Sequence, residues 1–260
     1  MGIVNVTPDS FFDGGRHATP AAAVSHALQL LAEGATVVDV GGESTRPGAT
    51  PVPPEVERER VLPVVEGILA ERPDALVSID TRRASVAAAA LAAGACLVND
   101  VSAGADPAML GVVAGAGAGI VLMHMRGEPA TMQRDTHYVD VVAEVHAFLA
   151  ARATAAEAAG VARERIFLDP GIGFGKDVGG NLRLLRALED LAALGYPVVV
   201  GASRKSFIGA LTGAAAGERL PGSLAALVRA AAIPRAMVRV HDVAATVQFL
   251  EVLAAVEGAA

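Results

Sequence analysis

The sequence contains no Trp and a single Cys, and aromatic residues make up only 3% of its 260 positions. A lone cysteine excludes an internal disulfide and is typical of a reducing compartment. No apolar run approaches the roughly 18 to 20 residues that a membrane span requires. Met1 leads directly into a predicted strand, without the basic segment and cleavage site of a targeting sequence. We therefore expect a cytoplasmic protein, and the abrupt start leads us to expect that N-terminal residues are missing.

Charge and hydropathy exclude further classes of protein. Acidic residues outnumber basic ones by 28 to 21, which gives a net charge of −7. This argues against a nucleic-acid groove or an anionic membrane surface, since both favour a basic face. Apolar residues make up 53% of the chain, so disorder is excluded and a large core is expected. Lysine is rare: of the 21 basic residues only Lys176 and Lys205 are lysines, which leaves 19 arginines.

Eight short β-branched runs, each bounded by Gly, Pro or polar residues, predict buried parallel strands. They are Gly2–Val6, Thr36–Gly41, Ala75–Asp80, Cys96–Asp100, Gly119–His124, Arg165–Asp169, Pro197–Gly201 and Met237–His241. Ala-rich stretches with helical spacing lie between them, such as Tyr138–Ala159. Glycines at positions 34, 94, 160 and 195 are predicted to end helices. Eight strand–helix repeats in about 250 residues match an α/β fold of the (β/α)8 TIM-barrel type.

The alternative fold is an open doubly wound sheet, which would carry a glycine fingerprint at its first strand–helix turn. That turn here reads Asn5-Val6-Thr7-Pro8-Asp9, which is not glycine-rich. The barrel is therefore favoured. Because there is no low-complexity linker and no change of composition, residues 1–260 are predicted to form a single domain.

Polar and charged residues stand at the end of almost every predicted strand, and in a barrel these ends form the active-site face. Such residues can also cap the next helix, but Arg, Lys and His are poor N-caps. Asp80, Asn99 and Asp169 supply hydrogen-bond acceptors that suit a flat heterocycle with amino and amide N–H groups. A second group supplies donors and cations, as a phosphate site requires: Asn5, Thr45, Arg46, Arg239 and His241. A ligand with a heterocycle at one end and a phosphate or diphosphate at the other fits both groups.

Two weaker signals are interpreted conservatively. The segment Gly171–Lys176 looks like a phosphate loop, but Pro170 replaces its first glycine and Asp177 replaces the Ser or Thr after the lysine. Lys176 is therefore predicted to be a solvated loop residue. His124 has no second His or Cys at metal-ligand spacing, so it is interpreted as a hydrogen-bonded pocket wall.

The chain resembles the dihydropteroate synthase family of pterin-binding barrels, through eight segments in the right order over nearly its whole length. They are GIVNVTPDSFFDGG (2–15), GGESTRPG (41–48), SIDT (78–81), NDV (99–101), LMHMRG (122–127), LDPGIGFGK (168–176), GASRKSFIG (201–209) and VRVHDV (238–243). The resemblance implies a transferase of folate biosynthesis. It would condense 6-hydroxymethyl-7,8-dihydropterin diphosphate with 4-aminobenzoate, giving 7,8-dihydropteroate and diphosphate. It further implies a sulfonamide target and a homodimer, with small-molecule substrates as its other partners.

The resemblance also assigns roles to residues. Asp80, Asn99 and Asp169 would bind the pterin ring, with Lys205 near its reacting end. Asn5 would bind Mg2+ on the diphosphate, which Thr45, Arg46, Arg239 and His241 would hold. Phe11, Pro47, Phe174 and Ser206 would form the aminobenzoate pocket, with Asp13 closing over it. The chain departs from the family at Phe12, where a serine is common, beside that pocket.

Two alternatives to an active synthase stay open at this point. One is a corrinoid-linked methyltetrahydrofolate methyltransferase module, which shares the barrel and its acidic pterin floor. The other is an inactive paralogue with a binding role. A methyltransferase does not need both long loops, residues 6–19 and 42–54, together with Lys205. An inactive paralogue, no longer under selection for catalysis, would be expected to lose some of these features. All are present here, which favours the synthase.

Overall fold

A computed structural model describes residues 1–7, 19–45 and 48–259 of the protein. Within these ranges strands alternate with helices along the chain. The strands are β1 (Gly2–Asn5), β2 (Val37–Gly41), β3 (Leu76–Asp80), β4 (Leu97–Asp100), β5 (Gly119–Met123), β6 (Ile166–Asp169), β7 (Val198–Val200) and β8 (Ala236–Val238). The helices are α1 (Pro20–Ala32), α2 (Pro54–Glu71), α3 (Ala84–Ala92), α4 (Met109–Gly115), α5 (Val141–Ala158), α6 (Val178–Arg186), α7 (Leu188–Ala192), α8 (Ser206–Thr212), α9 (Leu220–Ala231) and α10 (Val243–Gly258).

The eight strands form one parallel sheet in sequence order, and its two ends meet. A parallel bridge joins Gly2 to Val240, with the Ile3 amide 3.0 Å from the Val240 oxygen and the Val240 amide 3.0 Å from the Met1 oxygen. The predicted (β/α)8 barrel is therefore confirmed. The last strand is shorter than the predicted Met237–His241, because beyond Val238 the chain pairs with β1 only through the bridge at Val240.

Side chains that alternate along the strands form two separate apolar clusters. Residues such as Val38, Val40 and Leu122 face outward and pack with the helices in one large core. Inward-facing residues form a smaller cluster, which consists of Met1, Val37, Leu97, Val121 and Val199. Phe167 and Met237 pack against it. The small cluster fills the amino-terminal end of the barrel, so the polar residues further along the same strands sit above an apolar floor.

Side-chain caps begin some of the helices, and the glycines predicted from the sequence end others. The Thr19 hydroxyl accepts a hydrogen bond from the Ala22 amide at the start of α1, and Asp140 accepts from Val142 at the start of α5. The four predicted glycines have φ of 102°, 107°, 97° and 84° at positions 34, 94, 160 and 195, which is the left-handed conformation of a helix end. No helix in the described ranges is long and apolar enough to cross a membrane.

The outward-facing core generates the first prediction. Leu122 is fully buried in β5, whereas Leu76 at the start of β3 is 45% exposed. We expect Leu122→Ala to lower the free energy of unfolding by about 2 to 5 kcal/mol, and Leu76→Ala, the matched control in another strand, by less than about 1 kcal/mol. Urea unfolding followed by circular dichroism measures both. Equal losses would contradict the assignment of Leu122 to the core.

Candidate active site

The carboxyl ends of the strands bring the predicted acidic residues together inside the barrel mouth. Asp80, Asn99 and Asp169, at the ends of β3, β4 and β6, are 8%, 4% and 5% exposed. Asp39 of β2 joins them and is completely buried. No role was predicted for Asp39 from the sequence, although a lone charge within Val37-Val38-Asp39-Val40 is a signal that could have identified it.

Arg239 ties this acidic group to the last strand. Its Nε donates to Oδ2 of Asp39 at 2.6 Å, and its Nη2 donates to Oδ2 of Asp80 at 2.7 Å. The Asn99 side-chain amide donates to the same Asp39 oxygen at 2.9 Å. Arg239 of the predicted cationic group therefore meets Asp80 of the predicted acidic group, and Asp39 is the acceptor that connects Arg239 with Asn99.

Burial sets the protonation of these groups. It raises the pKa of Asp80 to about 7 and that of Asp169 to about 6, although Arg239 opposes the first shift and the Gly171 amide and the Lys205 charge oppose the second. Burial and the Arg239 charge lower the pKa of Lys205 to about 8. The site thus holds carboxyl groups and an amine that titrate much closer to neutral pH than they do in water.

His241 is neutral at pH 7, because burial and the charges of Arg239 and Arg204 lower its pKa to about 4. Its own backbone amide donates to Oγ of Ser203 at 3.3 Å, and that hydroxyl lies 3.0 Å from Nδ1 of His241. The hydroxyl can donate to Nδ1 or accept from it, so this contact fits either tautomer of the neutral ring. His241 therefore brings no positive charge to the site at pH 7.

Lys176 was predicted to be a solvated loop residue, and this prediction is wrong. Its side chain is 3% exposed and its Nζ lies within 3.0 Å of four acceptors, one of them Nδ1 of His124. Burial lowers its pKa to about 7. His124 is hydrogen-bonded, as predicted, and its assignment to a pocket wall stays a prediction. Asp177, the residue that breaks the phosphate-loop pattern, caps α6 by accepting from the Gly180 amide at 2.6 Å.

The other predicted residues that the structure describes lie near the same mouth. Lys205 places its Nζ 3.9 Å from the ring centroid of Phe174, which is 8% exposed. Ser206 is exposed at the start of α8, and Asn5 is partly buried at the end of β1. Thr45 shares a small crevice with Asp80. Phe11, Asp13, Arg46 and Pro47 lie outside the described residues.

A network of ion pairs anchors the segment that carries Thr45. Arg83, at the start of α3, pairs with Glu43 and with the buried Glu57 of α2, and its Nη2 donates to the Val52 oxygen at 2.6 Å. Arg60 donates to the Gly42 oxygen at 2.9 Å. These contacts hold the segment after β2 against the ends of α2 and α3, beside Asp80.

Comparison with known proteins agrees with this geometry. The family described as pterin binding enzyme matches residues 1–241. The dihydropteroate synthase of Escherichia coli K12 is 46% identical over 255 residues, which is 98% of this chain and 90% of the relative. The fold and the match thus define a pterin-binding enzyme.

Solved structures give the same result. The dihydropteroate synthase of Xanthomonas albilineans with 4-aminobenzoic acid superposes with a TM-score of 0.92 at 51% identity, covering 100% of this chain and 93% of that one. The same enzyme with 7,8-dihydropteroate gives 0.89 at 48%, covering 100% and 93%. That of Yersinia pestis with a sulfonamide drug gives 0.93 at 43%, covering 99% and 94%. The chain belongs to the dihydropteroate synthase family and is a transferase of folate biosynthesis.

The pKa of Asp169 generates a prediction of pH-dependent stability. Its pKa is about 6 in the folded chain, against an ordinary value of 3.8, so between these values the folded state binds more protons and the free energy of unfolding falls as pH rises. Asn cannot titrate. We expect Asp169→Asn to gain about 2 to 3 kcal/mol relative to the parent protein between pH 4 and pH 7.5, and to be inactive.

Urea unfolding at pH 4 and pH 7.5 measures this difference. The exposed Asp190 of α7 supplies the control, because Asp190→Asn also removes a carboxyl group but from a solvated position. A parallel pH dependence of Asp169→Asn and the parent protein would contradict the assigned cost of the buried carboxylate.

Proposed function

We propose that this chain condenses 6-hydroxymethyl-7,8-dihydropterin diphosphate with 4-aminobenzoate, as one catalytic domain over residues 1–260. The observation that carries the residue assignment is the position of Arg239, which contacts both Asp39 and Asp80. Arg239, the cation assigned to the diphosphate, is therefore in direct contact with Asp80, one of the acceptors assigned to the pterin. In the substrate, one methylene joins the charged diphosphate to the heterocyclic ring, so these two ends are also close together.

The acidic group serves the pterin. Asp80, Asn99 and Asp169 supply oxygen acceptors from three strands, and the amino and amide N–H groups of a pterin need such partners when buried. A donor that approaches the raised-pKa carboxyl groups stabilises their ionised forms, so ring binding also lowers the cost of burying the carboxylates. The Xanthomonas enzyme bound to 7,8-dihydropteroate supports this choice of ligand.

The cationic group serves the leaving diphosphate. The bond from the methylene carbon to oxygen breaks, and negative charge develops on the diphosphate next to Arg239. Neutral His241 and the hydroxyl of Thr45 supply further hydrogen-bonding groups, and Arg46 is assigned to the same task from outside the described residues. The positive charge left on the methylene is delocalised into the pterin ring, above the carboxylates.

Mg2+ is assigned to this step through Asn5. Within the described ranges, no group of three or more His, Cys, Asp or Glu side chains forms a metal cage. The side-chain oxygen of Asn5 at the end of β1 fits an ion that is carried mainly by substrate phosphates, because Mg2+ is usually bound through few protein ligands. When bound there, the ion would neutralise charge on the leaving group.

The aminobenzoate is assigned to the mouth beside Phe174, Lys205 and Ser206. The Phe174 ring supplies an apolar wall, and Lys205 lies against that ring at the end of the pocket where the pterin reacts. The amine attacks the methylene carbon, forms the new C–N bond and gives up one proton. Phe11 and Pro47 would complete the pocket and Asp13 would close it, all outside the described residues.

We further propose a cytoplasmic homodimer. Support for the dimer comes from large apolar side chains exposed on three helices that follow one another in the chain. They are Leu211 of α8, Val228 of α9, and Val252 and Val256 of α10, which are 46% to 65% exposed. Burial of such a surface against a second copy would remove it from water. Sedimentation of the purified chain tests the dimer.

The first test is turnover by the purified protein with pterin diphosphate, aminobenzoate and Mg2+, each omitted in turn. Arg239→Ala is expected to lower kcat at least about 100-fold, because the leaving charge loses its main partner. Arg229→Ala is the matched control and should keep full activity. Arg229 is exposed on α9, and its ion pair with Glu189 is long, at 3.7 Å. Dihydropteroate measured by chromatography gives the rates.

Other outcomes separate the alternatives. Binding of pterin without any product would indicate an inactive paralogue. Methyl transfer from methyltetrahydrofolate to a corrinoid, without pteroate formation, would indicate the methyltransferase module. Unchanged turnover in Arg239→Ala would contradict the role given to Arg239.

Sulfonamides should compete with aminobenzoate, as their complex with the Yersinia pestis enzyme suggests. We expect a sulfonamide to raise the apparent KM for aminobenzoate and to leave kcat unchanged at saturating aminobenzoate. Initial rates at several concentrations of both compounds measure this. Inhibition that persists at high aminobenzoate would show that the drug binds elsewhere.

A further inference from the structure

Lys176 is a buried cation to which the proposed reaction assigns no task. It lies in the segment between β6 and α6, and its ammonium is enclosed by the protein. Nζ lies 2.9 Å from Nδ1 of His124 and 3.0 Å from the His124 carbonyl oxygen, and 2.9 Å from the carbonyl oxygens of both Gly171 and Phe174. Three backbone carbonyls and one imidazole nitrogen therefore surround the three N–H donors of a single side chain.

The chain bends around this ammonium. Gly171 has φ of +69°, and a Cβ at that position would overlap the His124 carbonyl oxygen. The segment 171–176 thus lies directly on the end of β5 and cannot move closer. Its outer part is held by other polar contacts: Asn181 accepts from the Gly173 amide at 2.6 Å, and the Tyr138 hydroxyl donates to the Gly175 oxygen at 3.0 Å.

His124 is suited to accept from the lysine. Burial and the Lys176 charge lower its pKa to about 3, so its ring is neutral and Nδ1 can act as an acceptor. The ring packs edge-on against Phe148 of α5, at a centroid distance of 5.0 Å. Since His124 is itself held in place by packing, the ammonium fixes segment 171–176 to a rigid part of the barrel.

The same segment contacts the site at two points. The Gly171 amide donates to Oδ1 of Asp169 at 2.6 Å. The Phe174 ring lies beneath Nζ of Lys205 at 3.9 Å and packs with Val101, Met123 and Met132. The carbonyls of Gly171 and Phe174, the two residues that make these contacts, are the two that Lys176 binds from its own segment.

We propose that Lys176 is a positioning residue for the proposed condensation, whose ammonium fixes segment 171–176 so that Phe174 and Lys205 are arranged to receive the aminobenzoate. The inference rests on the proposed function for its kinetic consequence. Of the three residues assigned to the pterin, Asp80 and Asn99 lie on other strands and only Asp169 contacts the segment, through the Gly171 amide. Loss of the ammonium should therefore affect the aminobenzoate more than the pterin.

The kinetic test is Lys176→Met, which keeps an unbranched side chain of similar length and removes its donors. We expect the KM for aminobenzoate to rise about tenfold or more and kcat to fall, while the Kd of 6-hydroxymethylpterin, measured by calorimetry, changes less than about threefold. Arg163→Met is the matched control: Arg163 donates to the Leu194 carbonyl at 2.9 Å, before β6 at the opposite end of the barrel. It should leave both constants unchanged. Equal losses for both ligands in Lys176→Met would overturn the proposal.

A spectroscopic test does not depend on turnover. The chain has two lysines, so a sample labelled with 13C at lysine Cε gives two signals, and Lys176→Met identifies them. In the parent protein the Phe174 ring should shift the resonance of Lys205 Cε. The Phe174→Leu variant gives the chemical shift of that resonance without the ring. We expect the Lys205 signal in Lys176→Met to move toward that position. A Lys205 signal that stays in place would overturn the proposal.

The unmodified protein supplies the remaining measurement, which is needed if Lys176→Met does not fold. At pH 6, below the lysine's pKa of about 7, the enclosed ammonium should exchange its protons slowly and give an observable 15Nζ signal. Rapid exchange would show that Lys176 is not held as described. If the parent protein proves inactive while the two spectroscopic results hold, the proposed function fails and the positional role of Lys176 stands.

Discussion

The guanidinium of Arg239 lies between two buried carboxylates, and the barrel mouth depends on this contact. Asp39 has no solvent exposure and Asp80 very little, so each charge is removed from water at a cost of several kcal/mol. Arg239 offsets part of that cost, yet burial still leaves the pKa of Asp80 at about 7. Removal of the arginine would leave uncompensated buried charge. The ion pair is therefore a structural requirement of the site as well as the source of its charge for diphosphate.

The polar layer is unfavourable for folding, and the rest of the barrel compensates for it. Beneath it the inner cluster around Val121 and Val199 fills the barrel, and outside it the strands pack against the helices. Such a division is common, since active sites hold groups that ligands stabilise and the empty protein does not. The mouth of this barrel is less stable than an apolar one, but it holds acceptors together with the Arg239 cation, and a pterin diphosphate can pair with both.

The sequence predicted the fold well because strands of a barrel are covered on both faces and read as continuous apolar runs. It also predicted Asp80, Asn99 and Asp169, since polar residues that end such runs must meet at one face. Asp39 was assigned no role because its partner, Arg239, is 200 positions away and nothing local indicates the pairing. Lys176 was predicted wrongly because its partners are mostly backbone carbonyls, which leave no trace in the residue types. The segment Gly171–Lys176 does not match the phosphate-loop motif, and its residue types do not indicate that the loop encloses its own lysine.

The enclosure of Lys176 also explains why this position holds a lysine in a chain whose basic residues, apart from Lys205, are otherwise arginines. The socket consists of four acceptors around one nitrogen atom, and a compact ammonium with three rotatable donors fits such a socket. A guanidinium is planar and spreads its five donors over a wider fork, so it cannot direct them at a single point. The acceptors of Arg239 are instead spread apart, because the carboxylate of Asp39 lies on one side of the guanidinium and that of Asp80 on the other. A planar fork of donors suits this arrangement better. The arrangement of acceptors, one convergent and one divergent, thus selects a different cation at each position.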